Sequence, residues 1–142
     1  MPTRKNILIT GASRGIGLLA TKALAERGHH VYASMREVRG HNKPIAEEIQ
    51  KWANANNLSI QPIEMDVTED SSVEEAIEEI EKLRPLDVLV NNAGVMPTGL
   101  TEAYTIEQAQ QYFNVNLFGI MRTSRATLPY MRRRRSGLLI NL

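Results

Sequence analysis

The chain reads Thr10-Gly11-Ala12-Ser13-Arg14-Gly15-Ile16-Gly17 directly after the apolar run Ile7-Leu8-Ile9, and an amphipathic helical pattern follows. This order predicts a strand, a tight turn and the start of a helix. Gly11 allows the sharp turn, Gly15 allows the backbone to approach a pyrophosphate, and Gly17 allows the helix to pack closely on the strand. The stretch therefore indicates a nucleotide-binding turn, although a tight turn that binds no nucleotide can carry the same glycines.

Composition narrows the classes of function. The 142 residues fit one domain with a full core, and 17 basic against 16 acidic residues argue against a nucleic-acid partner or an anionic membrane surface. There is no cysteine, which excludes a disulfide framework and a cysteine nucleophile, so redox chemistry would have to come from a cofactor. No long apolar run or signal-like start is present, which predicts a cytoplasmic protein without a membrane span. His29, His30 and His41 lack ligand spacing, so we expect no metal site.

Strand and helix patterns alternate along the whole chain. The predicted strands are residues 7–10, 31–34, 59–65, 87–91 and 138–142. Most of them are apolar without polar alternation, as in strands buried on both faces. Right-handed crossovers then predict an α/β fold with a doubly wound, Rossmann-like parallel sheet, whose ligand lies at the carboxyl ends of the strands near the switch in strand order. We expect residues 1–142 to form one dinucleotide-binding domain.

Apolar residues at helical spacing predict the buried face of each helix. Gly28 is expected to end the first helix, and Ser71 with Glu74 is expected to form a capping box at the start of the third. The fourth helical region covers about residues 105–135. The predicted faces are Ile16, Ala20, Ala23 and Leu24; then Ile45, Ile49, Trp52 and Ala53; then Val73, Ala76, Ile77, Ile80 and Leu83; and finally Ala109, Phe113, Leu117, Ile120, Ser124, Leu128 and Met131.

A second motif, Asn91-Asn92-Ala93-Gly94, follows the fourth predicted strand. Its asparagine side chains can tie strand ends together or contact a ribose, and Gly94 permits close approach of the backbone to a ligand. An ordinary Asn-Gly type of turn is the alternative. With the glycines at relative positions one, five and seven of the first turn, the chain resembles the short-chain dehydrogenase/reductase family. The resemblance implies a nicotinamide cofactor and hydride transfer.

Two further positions match the family. Asp66-Val67 follows the third predicted strand, where the family carboxylate accepts a hydrogen bond from the adenine amino group; a simple loop acid is the alternative. Asn116 matches the asparagine of the family's catalytic tetrad, which holds a water in the proton relay. The alternative is a buried asparagine satisfied by the carbonyls of a helix bend, and both can hold.

The end of the second predicted strand bears on the choice of cofactor. An NAD site places a carboxylate there for the ribose 2′-hydroxyl, whereas this chain has Met35 and Arg36, with no acid before Glu37. Arg36 and Arg14 can both bind a 2′-phosphate, which favours NADP, unless both are simply surface residues. The expected cofactor contacts are Gly11, Ser13, Arg14, Gly15, Ile16, Gly17, Arg36, Asp66, Val67, Asn92, Ala93 and Gly94, with Asn116 as a catalytic residue.

The sequence stops at Leu142, whereas in the family the strand matching residues 138–142 leads into a catalytic Ser and a Tyr-x-x-x-Lys helix. We therefore expect the cofactor-binding fragment of an NADP(H)-dependent oxidoreductase acting on a secondary alcohol or ketone, inactive by itself. A non-catalytic nucleotide-binding or interaction module that naturally ends here is the alternative. A sugar-nucleotide epimerase or atypical reductase of the extended family is disfavoured, because its TGxxGxxG spacing is missing.

Two expectations concern partners. Residues 32–36, 92–96 and 128–132 are most similar to the 17β-hydroxysteroid and retinol dehydrogenase-like branch, which implies a hydrophobic substrate. Ending at the fifth strand leaves an unpaired sheet edge and an uncovered apolar helix face, so we expect self-association into a homo-oligomer.

Overall fold

The computed structural model describes residues 3–142 as one parallel sheet with helices on both faces. Its strands, numbered in chain order, lie side by side in the order β3 (Ser59–Glu64), β2 (His30–Met35), β1 (Asn6–Ile9), β4 (Val88–Asn91) and β5 (Leu138–Asn141). This confirms the predicted fold class, and each predicted strand is found to within one residue at either end. The elements are β1 (Asn6–Ile9), α1 (Gly15–Glu26), β2 (His30–Met35), α2 (Lys43–Ala55), β3 (Ser59–Glu64), α3 (Asp70–Leu83), β4 (Val88–Asn91), α4 (Ile106–Phe113), a π-helical turn (Asn114–Phe118), α5 (Gly119–Arg134) and β5 (Leu138–Asn141).

The core forms two layers, one on each face of the sheet. In β1, Ile7 and Ile9 point to the layer that contains α1 and α2, whereas Leu8 points to the layer that contains α3 and α5. This is the period-two alternation of a strand that is covered on both sides. Within residues 3–142, no helix combines the length and the apolar character that crossing a membrane requires.

The strand order reverses at β1, which lies between β2 and β4. From β1 the chain moves outward to β2 and β3, and it then crosses back to add β4 and β5 on the other side. A crevice opens at the carboxyl ends of strands where such a sheet reverses its order. The fold therefore provides the predicted position for a ligand.

The predicted buried face of α1 is partly wrong. Gly17, Thr21 and Ala25 are the buried residues, whereas Ile16 is 68% exposed and Ala23 is also exposed. The helix takes this rotation because Gly17 lies directly against the Gly11 carbonyl group. Gly28, at φ +87°, follows the helix end as predicted.

The predicted capping box of α3 is also wrong, although most of its buried stripe is confirmed. The helix begins at Asp70, so Ser71 lies inside the first turn, and no side chain caps the N-terminus. Leu83 is 60% exposed, but the other four residues of the stripe are buried. A capping box occurs instead on α4, where the Gln108 N–H donates to Thr105 Oγ1 over 3.2 Å.

The long stripe predicted for α4 and α5 faces mostly outward. Phe113 is 57% and Leu117 is 47% exposed, and of the predicted residues only Met131 is buried. The π-helical turn adds a residue that an unbroken helical period does not count, so the faces before and after it are out of phase. The residues that α5 buries are instead Gly119, Thr123, Thr127 and Met131.

His30 is a buried histidine at the amino end of β2, far along the strand from the crevice. Its Nδ1 lies 2.6 Å from Ser59 Oγ, and nothing in residues 3–142 hydrogen-bonds its Nε2. Burial, with smaller effects from the positive charges of Arg84 and Arg4, lowers the pKa of His30 from 6.5 to about 4. The folded protein therefore keeps this imidazole neutral where an unfolded chain would protonate it.

This pKa predicts a loss of stability in acid. The stabilising effect is complete above pH 6.5 and is lost as the pH falls toward the folded-state pKa of about 4, by about 3 kcal/mol in total. In urea unfolding at several pH values, the free energy of unfolding should fall less steeply between pH 6.5 and 4 for His30→Asn than for the wild type. The exposed His41, replaced by Asn, is the control and should follow the wild type. Parallel curves for His30→Asn and the wild type would refute the assignment.

Candidate functional site

A cleft of about 530 Å³ lies at the carboxyl ends of the central strands. This volume falls within the range of about 300–1,000 Å³ that is typical of cofactor sites. Two residues predicted from the sequence, Gly17 and Asn116, lie outside its lining. The predicted contacts that do line it are Gly11, Ser13, Arg14, Gly15, Ile16, Arg36, Asp66, Val67, Asn92, Ala93 and Gly94.

The glycine turn is built by close backbone contacts. Gly11 has φ +65°, and a Cβ there would lie 2.8 Å from the Cα of Ala93. A Cβ on Gly17 would collide with the Gly11 carbonyl group and with the Asn92 side chain. Gly17 therefore supports the cleft from behind rather than lining it. Gly15, at φ +56°, has open space where a Cβ would stand, so its backbone is accessible from the cleft.

Asn92 fastens the end of β4 to this turn. Its Nδ2 donates to the carbonyl oxygens of Thr10 at 2.9 Å and Gly11 at 3.1 Å. In return, Thr10 Oγ1 accepts from the backbone N–H groups of Asn92 and Ala93. Both ends of the switch point are thereby held in one hydrogen-bonded unit.

Asn91 performs a similar task on the other side of β4. Its Nδ2 donates to Asn141 Oδ1 at 2.9 Å, and Thr123 Oγ1 donates to its Oδ1 at 2.6 Å. This joins β4 to β5 and to α5. Both asparagines thus tie strand ends together, which is one of the two roles that the sequence suggested.

Asp66 lies at the end of β3, where a turn fixes its carboxylate. Oδ1 accepts from the Thr68 N–H at 2.9 Å and from the Thr68 hydroxyl at 2.7 Å. The Asp66 N–H donates to Ser72 Oγ at 2.8 Å. The residue is therefore a structured loop acid that also lines the cleft, so the two interpretations of the sequence are compatible.

The end of β2 places positive charge at the rim. Met35 is buried at 3% exposure and lines the cleft, and the next residue, Arg36, is exposed. The Asn42 side chain donates to the Arg36 carbonyl at 2.7 Å, while the Glu64 carboxylate accepts from the N–H of Glu37 at 2.7 Å. These bonds hold the loop after β2 beside the cleft.

The charges of the lining suit an anion. Arg14 and Arg36 line the cleft together with one carboxylate, that of Asp66. The lining residues that sequence analysis missed as contacts lie in the β2–α2 loop and the start of α2, around Asp66, after the second motif and in the π-helical turn. Apart from Met35, they are His41, Asn42, Ile45, Met65, Thr68, Val95 and Val115. Helical spacing predicted that Ile45 belongs to the core, but the spacing does not show that the loop before Ile45 lies beside the cleft.

Asn116 lies in the π-helical turn and pairs with a backbone segment rather than with a helix bend. Its Oδ1 accepts from the Val95 N–H at 2.8 Å, and its Nδ2 donates to the Val95 carbonyl at 2.7 Å. Asn116 itself is exposed, so the alternative of a buried asparagine satisfied by helix-bend carbonyls is wrong. The side chain instead holds Val95, which lines the cleft.

Within residues 3–142, no three His, Cys, Asp or Glu side chains cluster in a way that could hold a metal ion. The expectation from the sequence that the protein has no metal site remains a prediction.

Comparison with known proteins places this geometry in a family. The sequence model of the short chain dehydrogenases matches residues 5–142. A 3-ketodihydrosphingosine reductase of Bacteroides thetaiotaomicron is 39% identical over 137 residues, which are 96% of this chain and 45% of the relative. The chain spans about half the length of the curated relatives it matches.

Comparison with solved structures gives the same family. The gluconate 5-dehydrogenase of Burkholderia cenocepacia J2315, in complex with NADP and tartrate, superposes with a TM-score of 0.85 at 30% identity, over 96% of this chain and 52% of that one. A 3-oxoacyl-[acyl-carrier protein] reductase of Brucella melitensis with bound NAD also has a TM-score of 0.85, at 28% identity. The match covers 99% of this chain and 53% of that one. No branch of the family is singled out by these matches. The chain belongs to the short-chain dehydrogenase family of oxidoreductases.

Proposed function

We propose that the whole protein is an NADP(H)-dependent oxidoreductase that moves a hydride between the nicotinamide and a secondary alcohol or ketone. The observation that carries the proposal is the pair Arg14 and Arg36 lining a cleft in which the second strand ends on Met35 instead of an acid. Two guanidinium groups favour a 2′-phosphate, whereas a carboxylate at that strand end would repel it.

The residues of the cleft fit a dinucleotide phosphate. No side chain caps the N-terminus of α1, so its first N–H groups are available to a pyrophosphate. The open space over Gly15 allows that group to approach. In this arrangement the Asp66 carboxylate accepts from the adenine amino group, since only its Oδ1 is hydrogen-bonded within residues 3–142.

The bound cofactor supplies the hydride chemistry, and the residues of this chain orient the cofactor. The proposed cofactor contacts are those predicted from the sequence, except that Gly17 acts indirectly, by packing against Gly11 and Asn92. Asn116 is proposed to hold a water in the proton relay, through backbone that its pairing with Val95 keeps in place. A hydroxyl acid, a lysine and a serine are needed to complete such a site, and we propose that they lie outside residues 1–142, because the curated relatives are about twice as long.

The proposed substrate is a small alcohol or ketone of hydrophobic character. Support comes from the similarity to a reductase whose name specifies a 3-keto substrate and from the sequence resemblance to the hydroxysteroid and retinol branch. These are properties of relatives, so a panel of ketones rather than a single compound is the appropriate test. The cytoplasmic location expected from the sequence also stays a prediction.

We also propose a homo-oligomer. The edge strand β5 exposes Leu138 at 52% and Ile140 at 37%, and the end of α4 and the π-helical turn expose Phe113 and Leu117. Exposed apolar patches and unpaired strand edges of this kind mark association surfaces. The rest of a longer chain would cover part of this surface.

Binding of the two cofactors tests the proposal. Titration calorimetry on the full-length protein, as its coding sequence defines it, should show NADPH binding at least about 10-fold more tightly than NADH, because charge-assisted contacts to the 2′-phosphate are worth about 1.5 kcal/mol or more each. Equal affinities would reject the NADP assignment. Failure of both cofactors to bind would reject the proposed function.

A further inference from the structure

The guanidinium group of Arg122 contacts three segments of the chain at once. Its Nε lies 2.6 Å from Asp70 Oδ1, at the start of α3. Its Nη1 donates to the carbonyl of Val67 at 3.2 Å and to the carbonyl of Asn114 at 3.3 Å. The side chain is only 22% exposed. One residue therefore joins the loop after β3 to the first residue of the π-helical turn.

The Asn114 carbonyl is the acceptor that defines this turn. It accepts from the Gly119 N–H, five residues further on, where an α-helix would use the residue four further on. Arg122 gives the same oxygen a second donor, and that donor is charged. Charge-assisted hydrogen bonds are about twice as strong as neutral ones, so this contact favours the π-helical register over the commoner α-helical one.

The register matters because the turn forms part of the cleft. Val115 lines the cleft directly, and Asn116 holds Val95, which also lines it. A change of one residue in register would rotate the turn by about 100° and would break the pairing of Asn116 with Val95. Gly119 also packs so closely on Val67 that a Cβ at this glycine would lie 3.0 Å from Val67 Cγ2, which leaves α5 little room to adjust.

We propose that Arg122 is a positioning residue, which holds the π-helical turn in register and thereby places the cleft wall formed by Val95 and Val115. This inference rests on the proposed function. If Arg36 binds the 2′-phosphate at the end of β2, then the β4 side, on the far side of β1, faces the nicotinamide end. Arg122 would then act on the reacting end of the cofactor without touching it.

A surface ion pair is the competing explanation. Asp70 is 75% exposed, and exposed ion pairs contribute little because water screens them. The two carbonyl contacts are on the more buried side of the guanidinium. Asp70→Asn removes the ion pair and keeps both carbonyl contacts, so it separates the two explanations.

The experiment uses the full-length protein and three substitutions. Arg122→Met removes all three contacts, Asp70→Asn removes one, and Arg125→Met deletes an exposed positive charge three residues away on the same helix. For each we would measure kcat, the Kd of NADPH and the hydrogen exchange of the Val95 amide. Arg122→Met should lower kcat by about 10- to 100-fold, the effect of misplacing reacting groups by about 1 Å, and should change Kd by less than about threefold. It should also speed exchange at Val95, whereas the other two variants should stay near the wild type.

Other results would overturn the proposal, or would move the test to a second variant or a second measurement. Unchanged kcat and unchanged exchange in a folded Arg122→Met protein would overturn it, and so would an equal loss in Asp70→Asn. If the Met variant does not fold, Arg122→Lys, which has a single point charge, takes its place with the same expected direction. If the wild type transfers no hydride, the proposed function fails, and exchange at Val95 alone decides the role of Arg122.

Discussion

Replacing Arg36 by alanine is expected to weaken NADPH binding by about 10- to 150-fold and to leave NADH binding nearly unchanged. Arg36 lines the cleft just after the end of β2, and a charge-assisted contact to the 2′-phosphate is worth about 1.5–3 kcal/mol. Calorimetric titration of both cofactors measures the difference. Arg39→Ala is the matched control, because Arg39 is an exposed arginine of the same loop that does not line the cleft. Equal losses in the two variants would mean that Arg36 acts only through net charge.

Met35→Asp provides the opposite change. A carboxylate at this strand end repels a 2′-phosphate and accepts from a 2′-hydroxyl, so the preference should move toward NADH. Met35 is 3% exposed and belongs to the core, so the variant will also lose stability, and thermal unfolding must first show that it is folded. A folded Met35→Asp protein that still prefers NADPH would contradict the placement of the 2′-phosphate.

The sequence predicted the sheet because its strands are short, apolar and separated by helical patterns. It also predicted the close packing of the glycine turn, since a Cβ at Gly11 or Gly17 would collide with backbone atoms. Local spacing and backbone sterics decide both features. The glycine spacing and the strand pattern could therefore be read locally, whereas the partners of the two glycines across the turn, Ala93 and Asn92, appear only in the folded chain.

The features that sequence analysis missed depend on helix irregularities and on long-range contacts, which local spacing does not report. Apolar spacing placed Phe113 and Leu117 in the core, but the π-helical turn changes the phase of the helix and brings Thr123 inward, where it bonds Asn91. Similarly, spacing could not show that the loop after β2 brings His41 to the cleft. Two of the three Arg122 contacts, to Asp70 and to Val67, span 52 and 55 positions of the sequence, so no local pattern reports them.

Hydride transfer is the second prediction with a large effect. With NADPH and a panel of hydrophobic ketones, the full-length protein should consume the cofactor at least about 100-fold faster than the uncatalysed background, the lower range for acid–base catalysis by a positioned side chain. Residues 1–142 alone should show no turnover, because they lack a counterpart of the family's Ser and Tyr-x-x-x-Lys. Turnover by that chain would mean that acid–base groups among its own residues have been overlooked.

The most direct test of the central claim is the rate of NADPH oxidation by the full-length protein, measured with and without each ketone and repeated in the reverse direction with NADP and the matching alcohol. We expect substrate-dependent turnover in both directions with NADPH and NADP, and slower turnover with NADH and NAD. Tight binding of NADPH without turnover on any member of the panel would contradict the claim and would favour a non-catalytic nucleotide-binding module.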